Sequence, residues 1–159
     1  MTDINRIDLK KIVLSVVTRT FETMLNMNIT PAEPQDDLLW PRVASQVGVA
    51  GAAILGNLCI NLDLKGASMI AAEMLGSEED ELKINEIEDV VGELSNIAGG
   101  SIKSRLCDAG LTCQLSIPSV TYGSDFKFET VGYDRSEKLW FKSPEFIFFV
   151  EVFIKANKK

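Results

Sequence analysis

The chain has 159 residues, a net charge of −7 and 46% hydrophobic side chains, which suits one domain, 1–159, with a sizeable core. The acidic balance argues against a phosphate-backbone binder. The absence of histidine excludes Ser-His-Asp and Cys-His nucleophile pairs, histidine phosphotransfer and HExxH zinc chemistry.

Catalysis would have to run on carboxylates, amides, hydroxyls, lysines or thiols. There is no GxGxxG or Walker-type loop, so a nucleotide cofactor is unsupported. No apolar run reaches the roughly eighteen residues of a membrane span, and the start MTDINRIDLKK lacks a signal-peptide pattern. Cys59, Cys107 and Cys113 have no metal-ligand spacing; Cys107 and Cys113, which flank a predicted helix end, read as buried thiols of a reducing compartment. A cytoplasmic location is the expectation.

Residues 8–27 predict an amphipathic helix with Ile12, Val13, Val16, Val17, Phe21, Met24 and Leu25 on one side. Pro31, Pro34 and Pro41 then bracket a loop carrying Asp36 and Asp37. Residues 42–64 are rich in Val, Ala, Ile and Leu, with Gly48 and Gly51 as expected hairpin punctuation, and residues 53–62 suit one or two strands. Residues 65–75 predict a short helix ended by Gly76.

The run Ser77-Glu78-Glu79-Asp80-Glu81 lacks the alternating ligands and bidentate glutamate of a calcium loop, and reads as a solvated linker. A long helix follows over residues 84–110. Asn85 with Glu88 resembles a capping box at its start, and Gly110 suits its end. Beyond it the pattern turns to strands: residues 113–120, residues 126–131 with a Phe-Lys-Phe alternation, residues 138–142 around Trp140, and the nearly all-apolar FIFFVEVFI of 146–154. Tyr133-Asp134-Arg135-Ser136 reads as a turn, and Lys155, Lys158 and Lys159 as a solvated tail. The order predicts an α+β layout, helices packed on a mainly antiparallel sheet.

The long helix is the most informative segment. Ile87, Val90, Val91, Leu94, Ile97, Ala98 and Ile102 form a core face. Opposite it, Asp89, Glu93, Asn96, Gly100 and Lys103 fall within roughly 80° of one another at about 100° per residue. Gly92, Gly99 and Gly100 lie on or beside this stripe, although each glycine costs about 1 kcal/mol against alanine inside a helix. Something comes close to this face, either a partner or the protein's own sheet. Taken alone, Glu93 and Asn96 read as solvated surface residues. A metal-dependent hydrolase built on Asp89 and Glu93 would lack histidine and clustered carboxylates.

The longer pattern Asp89-x-x-x-Glu93-x-x-Asn96-x-x-x-Gly100, followed by Ser116-Ile117-Pro118, resembles the signature of the CheC/CheX/FliY chemotaxis phosphatases. The segments FETMLNMNI, GVAGAAILGNLCINLDLKGASMIAAEMLG and LSIPSVTYG are similar to the CheX branch, so that the resemblance spans nearly the whole chain. Glu22 is followed by Leu25 and then Asn26, so the first helix has no second Glu-x-x-Asn, and one active helix per subunit is implied.

The resemblance implies a CheC/CheX-like fold and a substrate: the aspartyl phosphate of a CheY-type response regulator. An acyl phosphate is already activated, and the receiver brings its own Mg²⁺ and lysine, so no cofactor is expected on this chain. Asn96 would hold a water in line with phosphorus, the role glutamine plays in GTPases. Glu93 would pair with the receiver's lysine. Asp89, Gly99, Gly100 and Lys103 are candidate partner-binding positions. The alternative is a non-catalytic module of the same fold that binds a response regulator or a flagellar-motor component. The apolar last strand and the likeness to CheX imply a homodimer, formed through sheet edges.

Overall fold

The computed structural model describes residues 3–35 and 41–157. Asp36 and Asp37 of the proline-bracketed loop, and Lys158 and Lys159 of the basic tail, lie outside the described residues. The first helix, α1 (Leu9–Leu25), starts where the Asp8 carboxylate accepts the Lys11 N–H and ends at Asn26 in the left-handed conformation, which asparagine tolerates better than most residues. The helix α2 (Leu64–Leu75) is capped by Asp63, which accepts the Gly66 N–H, and is stopped by Gly76 at φ 64°. The long helix α3 runs over Ile84–Asp108.

The strands are β1 (Thr30–Pro31), β2 (Arg42–Ala50), β3 (Ile54–Asp63), β4 (Gln114–Leu115), β5 (Ser119–Gly123), β6 (Arg135–Lys142) and β7 (Ile147–Ala156). They form one antiparallel sheet in the order β1-β6-β7-β3-β2, with β4 and β5 both pairing along the outer edge of β2. The expected α+β class is therefore found. The apolar run in β7 is that of a strand flanked on both sides, by β3 and by β6.

The alternation along the strands sorts the two faces. Val43, Ser45 and Val47 of β2, Leu58, Ile60 and Leu62 of β3, and Phe148, Val150 and Val152 of β7 share the face on which the helices sit, and all are buried. Phe21 of α1 stacks on Phe148 with centroids 4.8 Å apart, and Phe141 of β6 stacks on the same ring at 5.3 Å. This aromatic column anchors α1 to the sheet. On the opposite face Trp140 and Phe149 pack at 4.7 Å beneath the Lys138 ammonium, which lies 4.4 Å from the Phe149 ring centroid.

Several local expectations need correction. Gly48 lies inside β2, paired with Asn57, and does not mark the hairpin. Gly51 does, and a side chain there would meet the carbonyl oxygen of Thr112 at 2.1 Å. Residues 126–131 form no strand. The Arg42 guanidinium sits 4.1 Å over the Phe126 ring and donates to the Phe126 carbonyl, so this segment is held against the outer sheet face by side-chain contacts instead of a ladder. Arg135 and Ser136, read as turn, open β6. The expected strand over 113–120 is split into β4 and β5 by Ser116-Ile117-Pro118.

Candidate functional site

The site helix is fixed at both ends. The backbone N–H of Lys83, the N-cap, donates to Glu86 Oε1 at 3.1 Å. The cap thus lies two residues earlier than the Asn85/Glu88 pair suggests, and it is half a capping box, because lysine offers no acceptor. At the far end Leu111 N–H donates to the Leu106 carbonyl (2.8 Å) and Gly110 N–H to the Cys107 carbonyl (2.9 Å), with Gly110 at φ 89°. This is a Schellman closure, and its accompanying apolar contact falls to the buried Leu106 and Leu111.

Between its ends α3 lies against β2 and the β4–β5 edge. Gly99 is buried, and a Cβ there would meet Val47 Cγ2 at 2.8 Å. Gly92 faces Val120 and Pro118 at 3.2 and 3.8 Å in the same sense. Two of the three glycines therefore let the helix approach this protein's own sheet. Gly100 differs: its nearest neighbour would be Leu115 Cδ1 at 3.9 Å. The strand break at Ser116–Pro118 is itself held, since the Ser116 hydroxyl accepts the Gly48 N–H (2.7 Å) while the Ser116 N–H donates to the Gly48 carbonyl (2.9 Å). That places Pro118 beside Gly92.

Ser95 is the one polar side chain on the inward face of α3 that is fully buried. Its hydroxyl bonds to the Ser45 hydroxyl of β2 and donates to the Gly92 carbonyl at 2.9 Å. Sequence reading passed over this residue. The signal was a lone hydroxyl among Val91, Leu94 and Ala98 on a core face, flanked by Glu93 and Asn96.

The stripe faces outward. Asp89 and Glu93 are exposed, and Asn96 and Lys103 are half-buried. Among the described residues Asp89, Glu93 and Asn96 make no side-chain hydrogen bond or ion pair. Lys103 Nζ donates to Gln114 Oε1 of β4 at 3.5 Å. Glu93 and Asn96, three residues apart, are neighbours on the surface, their Cβ atoms about 5–6 Å apart in helical geometry. The α3 surface thus offers one carboxylate and one carboxamide side by side, with their hydrogen-bonding capacity unused.

Such a pair can accept from a cation and orient a water, and it contains no thiol, hydroxyl or imidazole. Ile97, expected in the core, is instead half-buried and lines a groove between α3 and α1. Among the described residues no cluster of three or more His, Cys, Asp or Glu side chains is placed to hold a metal ion. None of the described helices is long and apolar enough to cross a membrane.

An outward Asp89/Glu93/Asn96 stripe on α3 over an antiparallel sheet is in keeping with the resemblance to the CheC/CheX/FliY class of chemotaxis phosphatases. The family profile of the chemotaxis phosphatase CheX matches residues 43–141. The chain belongs to the CheX family. Among solved structures, CheX from Vibrio vulnificus is similar at a TM-score of 0.83 and 24% identity, over 94% of this chain and 98% of that one. CheX from Desulfovibrio desulfuricans gives 0.78 and 24%, over 94% and 100%. CheX from Borrelia burgdorferi, in a complex with CheY, BeF3 and Mg²⁺, gives 0.76 and 23%, over 94% and 99%. Among curated protein sequences none matches the chain.

Proposed function

We propose that this protein hydrolyses the aspartyl phosphate of a CheY-type response regulator, with Asn96 orienting the attacking water. The observation that carries the reading is the adjacent, unpartnered Glu93 and Asn96 on the exposed face of α3 in a chain of the CheX family. The complex of Borrelia burgdorferi CheX with CheY, BeF3 and Mg²⁺ supports a receiver as partner. The receiver's metal and lysine would neutralise the phosphoryl oxygens, leaving this chain to position a water. The Asn96 carboxamide oxygen accepts from that water and does not titrate. Glu93 pairs with the receiver's lysine and sets the docking register. A hundredfold acceleration requires about 2.7 kcal/mol, within reach of positioning alone.

Asp89, Gly100 and Lys103 border this pair and contribute to the docking face. Gly99 contributes by letting α3 sit close to the sheet. No cofactor of its own is needed. A homodimer in the cytoplasm remains part of this reading, its sheet edges being β1 and the β4–β5 side; light scattering at micromolar concentration tests it.

The deciding experiment follows the decay of phosphorylated CheY-type receivers from the same genome with the wild-type protein, Asn96→Ala and Glu93→Ala. Acceleration lost in both variants supports the reading. Binding without acceleration by the wild type would make the protein a non-catalytic receiver-binding module.

A further inference from the structure

Beside the Glu93/Asn96 pair, α1 and α3 enclose an open groove of about 400 Å³. On α3 it is lined by Ile97, Ser101 and Arg105, which lie on the flank of the helix adjoining the stripe. On α1 it is lined by Arg19 and Met24. The floor is apolar and adaptable: Met24 is 49% exposed although it is an apolar side chain on a packed helix. The rim is cationic. Arg19 and Arg105 are both exposed, and among the described residues neither forms an ion pair, although Arg105 donates to Ser15 Oγ at 3.3 Å. In a chain of net charge −7, two guanidinium groups at one mouth, neither in an ion pair among the described residues, supply a local cationic rim.

We propose that this groove receives an acidic, amphipathic segment of the phosphorylated receiver. Carboxylates of that segment meet Arg19 and Arg105, and an apolar side chain seats on Met24 and Ile97. The inference rests on the function proposed above and adds to it a specificity surface separate from the hydrolytic pair. The groove adjoins the stripe, because Ile97 lies one turn beyond Glu93 on the same flank of α3, so one receiver can occupy both. The cationic rim steers approach and selects the partner, and the apolar floor lengthens residence. Chemistry stays with Asn96.

The test uses the full chain with Arg19→Glu and Arg105→Glu, singly and together. Thermal melts serve to show that the variants fold; both sites are exposed, and the Arg19 side chain makes no hydrogen bond or ion pair among the described residues. With receivers phosphorylated by acetyl phosphate, the double variant is expected to raise KM about tenfold and leave kcat within about twofold. Its kcat/KM should also depend less steeply on salt.

An unchanged KM with wild-type hydrolysis overturns the groove and leaves the phosphatase reading intact. Binding to beryllofluoride-activated receiver gives an independent reading. If the wild type binds without hydrolysing and the double variant binds about tenfold more weakly, the groove stands and the phosphatase reading falls. If wild type and double variant bind equally, the groove falls. If no receiver binds the wild type, both fall.

Discussion

The hydroxyls of Ser45 and Ser95 hydrogen-bond to each other inside the apolar layer between sheet and site helix. Ser95 is flanked in sequence by Leu94 and Asn96, so this contact fixes the rotation of α3 about its axis at the point where the stripe carries Glu93 and Asn96. A purely apolar interface would allow small rotations at little cost, whereas a buried hydroxyl left without its partner costs about 1–3 kcal/mol.

Ser95→Ala should therefore destabilise the protein by about 1–3 kcal/mol, since it strands the buried Ser45 hydroxyl, whereas Ser45→Ala should cost less, because Ser95 still donates to the Gly92 carbonyl. The double variant should cost less than the sum, because both partners leave together. Urea denaturation of the four proteins checks this, and strict additivity would mean that the hydroxyls are uncoupled.

Asn96→Ala should abolish accelerated receiver dephosphorylation, lowering kcat by about tenfold or more, with melting temperature and receiver affinity little changed. Asn96 is half-buried and makes no intramolecular side-chain bond among the described residues, so its loss disturbs nothing in the fold. Single-turnover decay of phosphorylated receiver, beside a binding titration, separates the two effects.

The adjacent glycines of α3 should respond in opposite directions to alanine. At Gly100 the new Cβ meets nothing nearer than 3.9 Å, so the helix gains up to about 1 kcal/mol. At Gly99 it meets Val47 Cγ2 at 2.8 Å. Val47 is fully buried and stiff at χ1, and overpacking of that kind costs about 1–3 kcal/mol, outweighing the helical gain. Thermal melts should move up for Gly100→Ala and down for Gly99→Ala.

Burial pushes the Cys59 thiol up to about 11, opposed by the amide hydrogen bond from Asn61. The native state thus holds this proton more tightly than the unfolded chain. The stabilisation is fully present below the ordinary thiol value of 9.0, declines as pH rises above it, and is lost through about 11. Cys59→Ala should flatten the alkaline fall in stability relative to wild type between pH 9 and 10.5. At pH 8 the native thiol should react with iodoacetamide far more slowly than in denaturant.

Much of this architecture was legible because short-range chemistry writes it down. Gly76 marks a helix end by its left-handed geometry, and the Glu93/Asn96 stripe emerges from helical periodicity. What was illegible depends on distant partners. Phe126-Lys127-Phe128 alternates like a strand, yet Arg42 from the sheet face captures Phe126. Ile97 fits the core pattern, yet α1 leaves a groove beside it. Gly99 and Gly100 are equivalent in sequence and differ only in which faces β2. The capping pair of α3 was illegible because Lys83 is a poor capping residue, and the bond there is made by the Glu86 side chain instead.

The position of β7 has a further consequence, for how the chain reaches this structure. The strand joins β3 to β6, pairing Leu62 with Phe148 and Ile54 with Ala156. Half of the sheet is therefore joined to the other half only by a segment synthesised long after β3. Until then β3 presents an open ladder of donors and acceptors and its apolar Leu58, Ile60 and Leu62 lack their neighbours. Loop closure over such separations comes late and slowly. Without β7 the strands β1 and β6 would have no ladder to the rest of the sheet, and β3 would keep an open edge of the kind that invites aggregation.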